Sequence, residues 1–182
     1  MSEASQLAAV DFEGALALLA DMTQHFAEGG DLGNTLERAL GSISEHVGSK
    51  AGSLWLLDGT GKEIICVACV GPNPITGLRL PAGEGIVGKS VRDNTCQIVL
   101  DVANDPDFSQ KMDDESGFRT RSILCAPMRF KDDPIGAVEL INKTTGDGKF
   151  IPSDAQLLQA LASSAGLAIA NAKLASEELE HQ

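Results

Sequence analysis

Gly83-Glu84-Gly85-Ile86-Val87-Gly88-Lys89-Ser90 is the stretch on which the fold turns. It satisfies two phosphate-binding patterns at once, G-x-x-x-x-G-K-S and G-x-G-x-x-G, in which glycines let backbone amides approach phosphate oxygens at a helix start. Both patterns belong to parallel sheets with crossover helices, about 30 residues per strand-helix-strand unit. The flanks do not supply one. Upstream, Leu78-Arg79-Leu80 is a very short strand candidate closed by Pro81. Downstream, only seven residues separate Ser90 from Ile98, too few for a helical crossover. The reading as a P-loop nucleotide hydrolase therefore fails on context, although a glycine-rich helix start can still receive an anion.

Outward from that stretch, the strands read as hairpins. Ser53-Leu54-Trp55-Leu56-Leu57, the turn Asp58-Gly59-Thr60-Gly61 and the run from Ile64 to Val70 form one antiparallel pair. A loop rich in glycine and proline runs from Gly71 to Gly85, and a short helix from about Ile86 to Arg92. Gln97 to Gly117 is polar and irregular apart from a short strand at Ile98-Val99-Leu100. The second hairpin is Ser122 to Phe130, a turn at Lys131-Asp132-Asp133-Pro134, and Ile135 to Asn142.

Both ends are helical. Val10 to Phe26 places Phe12, Leu16, Leu19 and Phe26 at helical spacing before Gly29-Gly30 stops it. Asp31 caps a second helix, on which Leu32, Leu36, Leu40, Ile43 and Val47 share a face before Gly48. After the loop from Lys143 to Pro152, Ser153 and Gln156 form a capping box for a long last helix, with apolar positions at Leu157, Leu161, Ala165, Ala168, Ala172 and Leu179. The fold class is α+β, helices packed on an antiparallel sheet. It occupies one domain over residues 1–182, with an N-terminal helix in 1–30, a core in 31–152 and a C-terminal helix in 153–182.

Composition narrows the function. Hydrophobic residues are 43% and charged residues 22%, as in ordinary globular domains. No apolar run reaches the roughly 18–20 residues of a membrane span. The start lacks the basic-then-apolar pattern of a signal peptide, which points to the cytoplasm. A net charge of -12, from 26 acids against 14 bases, repels phosphate backbones and anionic lipids, so neither nucleic acid nor membrane is an expected partner. Cys66 and Cys69 form a C-x-x-C inside a strand. Residues three apart in a regular strand face opposite ways, so their sulfurs should not meet. No second C-x-x-C or nearby histidine completes a metal set. Buried free thiols are expected here, and no metal or other cofactor.

From Pro81 onward the chain resembles the GAF domains of cyclic-nucleotide phosphodiesterases and cyanobacterial adenylyl cyclases. The likeness lies in Leu80 to Gly88, in Gly117-Phe118-Arg119-Thr120-Arg121-Ser122-Ile123-Leu124-Cys125-Ala126-Pro127, and in Gly136 to Lys143, with weaker similarity over Ser53 to Asp58. Asn142, Lys143, Phe150 and Asp154 match the NKFDE signature of that subgroup, whose last acid is Ala155 here. The resemblance implies a six-stranded antiparallel sheet with terminal helices on one face and, on the other, a ligand pocket roofed by short helices. It implies a small-molecule ligand, with a cyclic nucleotide as candidate, whose phosphate would lie against the helix start at Ile86 and Val87. Further contacts would fall on Ser53, Asp113, Ser116, Thr120 and Glu139. Lys143 and Asp154 resemble a family ion pair beside the pocket that ties a strand end to the last helix.

Glu139 stands out independently. It shares a strand face with Ala137 and Ile141, and a carboxylate on an apolar face needs a partner or a function. Other features depart from the family pattern. Where cyclic-GMP binders place an aromatic and an acid after the second strand, this chain has Cys69 and Val70, and the aromatic often found near Ser109 is missing. Val70 makes no polar contact and Cys69 offers only a weak donor.

The functional expectation is a non-catalytic sensory module. The alternative from another class is a thiol-based GAF enzyme such as a free methionine sulfoxide reductase, using Cys96 or Cys125 near Arg92 and Arg121. His25, His46 and His181 lie far from every cysteine in sequence, against a bilin site. The final helix is apolar on nearly every side from Leu157 to Ala172, and the first has a similarly wide stripe. Two copies are therefore expected to pair through the terminal helices as a homodimer, passing a signal to an effector domain or protein.

Overall fold

Asp31 opens the first helix of the core as expected, its carboxylate accepting the Gly33 N–H at 3.0 Å. The computed structural model describes residues 31–110, 113–114 and 117–181, together with positions 14, 16, 17, 20, 21 and 24. Those six early positions are helical; the rest of the proposed N-terminal dimerisation helix lies outside the described residues. Helix α1 (Leu32–Val47) buries Leu36, Ala39, Leu40, Ile43 and Val47. It ends where Gly48 turns left-handed and donates its N–H to the Ser44 carbonyl.

Six strands follow: β1 (Ser49–Leu57), β2 (Glu63–Val70), β3 (Arg79–Pro81), β4 (Gln97–Val99), β5 (Ile123–Phe130) and β6 (Asp133–Lys143). Helix α2 (Gly85–Asp93) lies between β3 and β4, and α3 (Pro152–Glu180) closes the described chain. The sheet order is β3-β2-β1-β6-β5-β4, with every neighbouring pair antiparallel. A parallel phosphate-loop fold is thereby excluded.

Alternation along β6 divides the molecule into two cores. Val138 and Leu140 pack with Leu124, Ala126 and Met128 against α1 and α3. Ala137 faces the other way, into a second core with Trp55, Cys66, Leu80, Ile86 and Val87. The period of two decides which side chains reach which layer.

Four local expectations are corrected. A bulge interrupts the β1–β2 register, Leu54 pairing with Ala68 while Trp55 pairs with Cys66. The extra residue brings Cys66 and Cys69 onto the same face instead of opposite ones; both remain free thiols. The β5–β6 turn is tighter than the sequence implied, because Phe130 already pairs with Asp133 and Lys131 takes a left-handed φ of 55°. The last helix starts at Pro152, so Ser153 is not its cap; the Asp154 carboxylate instead accepts the Ile151 N–H at 3.0 Å. Finally, Leu157, Leu158, Leu161, Ala162 and Ala165 are all buried within the domain's own core. Spaced i, i+1, i+4, i+5 and i+8, they form one helix face, which packs on β5 with α1 alongside.

The glycines that imitate a phosphate loop have a packing role. A Cβ on Gly88 would lie 2.6 Å from the Gly83 carbonyl carbon, whereas one on Gly83 would meet nothing within 4 Å. Gly88→Ala should therefore cost about 1–3 kcal/mol by pushing α2 off the preceding turn, and Gly83→Ala should be close to neutral. Urea unfolding of the two variants checks this; equal stabilities would remove the packing explanation.

Candidate functional site

The site is assembled on the second face of the sheet around Glu139. In β6 it lies between Ser53 of β1 and Cys125 of β5, both direct cross-strand partners. Its side chain is 6% exposed, and no hydrogen bond to its carboxyl is made by any described residue. Burial, and secondarily the charge of Asp113, raises this carboxyl to a pKa of about 8. At neutral pH it holds its proton and can donate as well as accept.

Two elements cover Glu139. The first is the start of α2, where Gly85, with a left-handed φ of 69°, Ile86 and Val87 reach the cavity wall. The early amides of a helix have no intrahelical acceptors, so they are available to a ligand. The preceding Glu84 also lines the wall, and its buried Oε2 has no hydrogen-bond partner among the described residues. The second cover comes from Phe108, Ser109, Asp113 and Thr120. Asp113 accepts the Thr120 N–H at 2.7 Å and the Thr120 hydroxyl at 2.5 Å, which ties the two together. Between covers and sheet lies a cavity of about 40 Å³, bounded also by Leu80, Phe108, Ser109, Ile123 and Ile141.

Of the residues expected from sequence, Ile86, Val87, Asp113, Thr120 and Glu139 meet at this one cavity. Ser116 lies outside the described residues. Ser53 adjoins Glu139 in register, but its Oγ accepts the Trp55 Nε1–H at 2.8 Å and it does not line the cavity. Lys143 and Asp154 form an ion pair at 2.6 Å with side chains 10% and 11% exposed. The pair ties the end of β6 to the start of α3, away from the cavity lining.

Phe108, next to Ser109, supplies the aromatic wall that the sequence reading found missing. Glu84 was also overlooked. An acid before a helix start was legible, but its burial depends on the covering segment. On the other flank, Cys69 Sγ sits 3.1 Å from Thr76 Oγ1, and Val70 packs toward α1. Neither offers the polar contacts expected of a base-recognition wall.

The phosphate-loop side chains are engaged elsewhere. Lys89 Nζ donates to Asp107 at 2.8 Å, and the buried Ser90 hydroxyl donates to the Thr95 carbonyl at 2.8 Å. Three thiols are held protonated by burial, which pushes Cys66 up to about 12, raises Cys125 well above the usual thiol value, and raises Cys96. Among the described residues, no group of three or more His, Cys, Asp or Glu is arranged to hold a metal ion, and no helix is long and apolar enough to cross a membrane.

Known proteins share this architecture. The chain is 32% identical over 133 residues to the dual 3',5'-cyclic-AMP and -GMP phosphodiesterase 11A of Takifugu rubripes, covering 67% of this chain but only 15% of that protein. The GAF domain of a phosphoenolpyruvate-protein phosphotransferase from Coxiella burnetii superposes with a TM-score of 0.81 at 21% identity, over 91% of this chain and 98% of that one. Free methionine-R-sulfoxide reductase from Neisseria meningitidis superposes with a TM-score of 0.74 at 21% identity, over 88% and 91%. At those identities the two structures speak for the fold alone. The GAF domain profile matches residues 31–169, most of the chain and all six strands, and the protein belongs to the GAF domain family.

Proposed function

We propose that this domain is a non-catalytic sensor that binds a small organic molecule over Glu139, with a cyclic nucleotide as the candidate ligand. The observation that carries the reading is Glu139 itself: a buried carboxyl that faces a cavity at a helix start and has no hydrogen-bond partner among the described residues. Burying such a group without a partner is unfavourable, and a ligand that accepts from its O–H and receives helix amides on an anionic group offsets that cost. Similarity to a cyclic-nucleotide phosphodiesterase supports the choice of candidate.

A cavity of about 40 Å³ is far below the roughly 300–1,000 Å³ of small-molecule sites. Ligand entry therefore requires the segment carrying Asp113 and Thr120 to swing outward. That movement is the signal, delivered to an effector domain or protein. Calorimetry with cyclic AMP and cyclic GMP should show saturable binding, weakened by about 1–3 kcal/mol in Glu139→Ala and in Thr120→Ala. No heat and no thermal shift with either nucleotide would eliminate this ligand class.

The raised thiol pKa values favour a sensor over a thiol enzyme, since the thiolate is the nucleophile. No methionine sulfoxide reductase turnover is expected. Turnover that vanishes in Cys96→Ser or Cys125→Ser would move the protein to the enzyme class.

The same reading includes a homodimer through the terminal helices. Leu167, Leu174 and Leu179 on α3 are 51%, 50% and 72% exposed, and Leu167 and Leu174, two turns apart, share a helix face. Leu167→Lys with Leu174→Lys should convert a dimer to a monomer in light scattering without unfolding it. A wild-type monomer at high micromolar concentration would end the proposal.

A further inference from the structure

In a chain of 14 basic residues against 26 acids, Lys50, Arg119, Arg121 and Lys143 line a single cleft of about 440 Å³. It sits where β1 begins, β6 ends and the chain enters β5, and it shares no lining residue with the Glu139 cavity. The extended run Arg119-Thr120-Arg121 separates the two sites: Thr120 turns inward to Asp113, while Arg119 and Arg121 turn outward into the cleft.

The backbone that carries the two arginines is held rigidly. Asn142, in a left-handed conformation with φ 61°, accepts the Arg121 N–H at 2.7 Å and the Ser122 N–H at 3.2 Å through Oδ1. Its Nδ2 donates to the Arg119 carbonyl at 2.9 Å. The Arg121 carbonyl accepts the Val102 N–H at 2.9 Å. Both arginine side chains are exposed, and among the described residues neither guanidinium forms an ion pair or hydrogen bond.

The charge balance stays positive after neighbours are counted. Asp154 neutralises Lys143, which leaves Lys50, Arg119 and Arg121 facing one lining acid, Asp147. The Ser122 and Thr144 side chains and the half-exposed Leu100 complete the wall. A fork of guanidinium donors matches phosphate oxygens two at a time, Leu100 gives apolar surface to an organic moiety, and the volume falls within the small-molecule range.

We propose that this cleft is a second ligand site, specific for an organic phosphate held by Arg119, Arg121 and Lys50. The probe is inorganic pyrophosphate, titrated calorimetrically and by amide NMR at moderate salt. Saturable binding is expected, with shifts at Arg119, Arg121, Thr144 and Gly148. Arg119→Gln with Arg121→Gln should weaken it at least about tenfold while leaving the unfolding midpoint unchanged, since both side chains are exposed. Arg79→Gln with Arg92→Gln, elsewhere on the surface, should leave affinity intact. Equal weakening by the control pair would reduce the effect to diffuse charge. Shifts confined to residues 85–87 would assign the anion to the helix start instead. Absence of saturation at millimolar pyrophosphate, or tighter binding of a hexaglutamate peptide, would also overturn the proposal, the latter in favour of an acidic protein partner.

Discussion

Glu139→Gln should stabilise the domain at pH 7, by about 3 kcal/mol, and should flatten the part of its pH–stability profile that this carboxyl controls. The folded-state pKa is raised from 4.5 to about 8 by burial and, to a lesser degree, by Asp113. Below pH 4.5 both folded and unfolded chains carry the proton, and the group takes nothing from stability. Between pH 4.5 and 8 the unfolded chain releases the proton while the folded chain keeps it. Stability is therefore lost progressively as pH rises across that window, and the loss levels off above pH 8. Gln is neutral in both states and removes this dependence. Guanidinium unfolding of both proteins at several pH values from 5 to 9 reads the difference directly. A pH-independent difference would mean that Glu139 ionises normally, in a wetter site than the structure describes. The same variant separates roles in the site, because a ligand that needs a neutral donor there should survive Gln and fail with Ala.

Asp154→Ala should destabilise the fold by about 3–5 kcal/mol, the usual consequence of removing one member of a buried ion pair. Lys143 Nζ is 2.6 Å from Asp154 Oδ2 and lies 5.9 Å from the Phe150 ring centroid, with both side chains of the pair about nine-tenths buried. Losing the carboxylate strands an ammonium there, and also removes the acceptor for the Ile151 N–H at the start of α3. Lys143→Met combined with Asp154→Leu removes both charges and should recover most of the loss. Urea unfolding of the single and double variants measures it. A loss under about 1 kcal/mol for Asp154→Ala would class the pair with solvent-screened surface bridges.

Much of the architecture was legible because it rests on short-range rules. Asp31 and Gly48 bound α1 through local hydrogen bonds and backbone conformation, and both residue types announce those roles in sequence. The two hairpins followed from apolar runs around turn residues. Period-two alternation placed Glu139 beside Ala137 and Ile141 and against the apolar layer. What misled was also local. Ser153 and Gln156 match a capping box, but the cap is decided by Asp154, which is anchored by Lys143 eleven residues earlier in the chain. Cys66 and Cys69 were assigned opposite faces by a strand period that the bulge opposite Leu54 and Trp55 breaks.

The order and type of the elements, the antiparallel pairing and the family follow from periodicity, turn chemistry and motif residues close together in the chain. How the sites close depends on contacts between segments far apart in it. Strand register set Glu139 between Ser53 and Cys125. The convergence of Asp113 and Thr120 with the start of α2 at one wall left a cavity of about 40 Å³, which Phe108 and Glu84 also line. Convergence of three strand ends gathered Lys50, Arg119 and Arg121 from across the chain into one cleft. Burial, pKa and charge density depend on which distant segments come within a few ångströms, and a period along one strand carries no information about that distance.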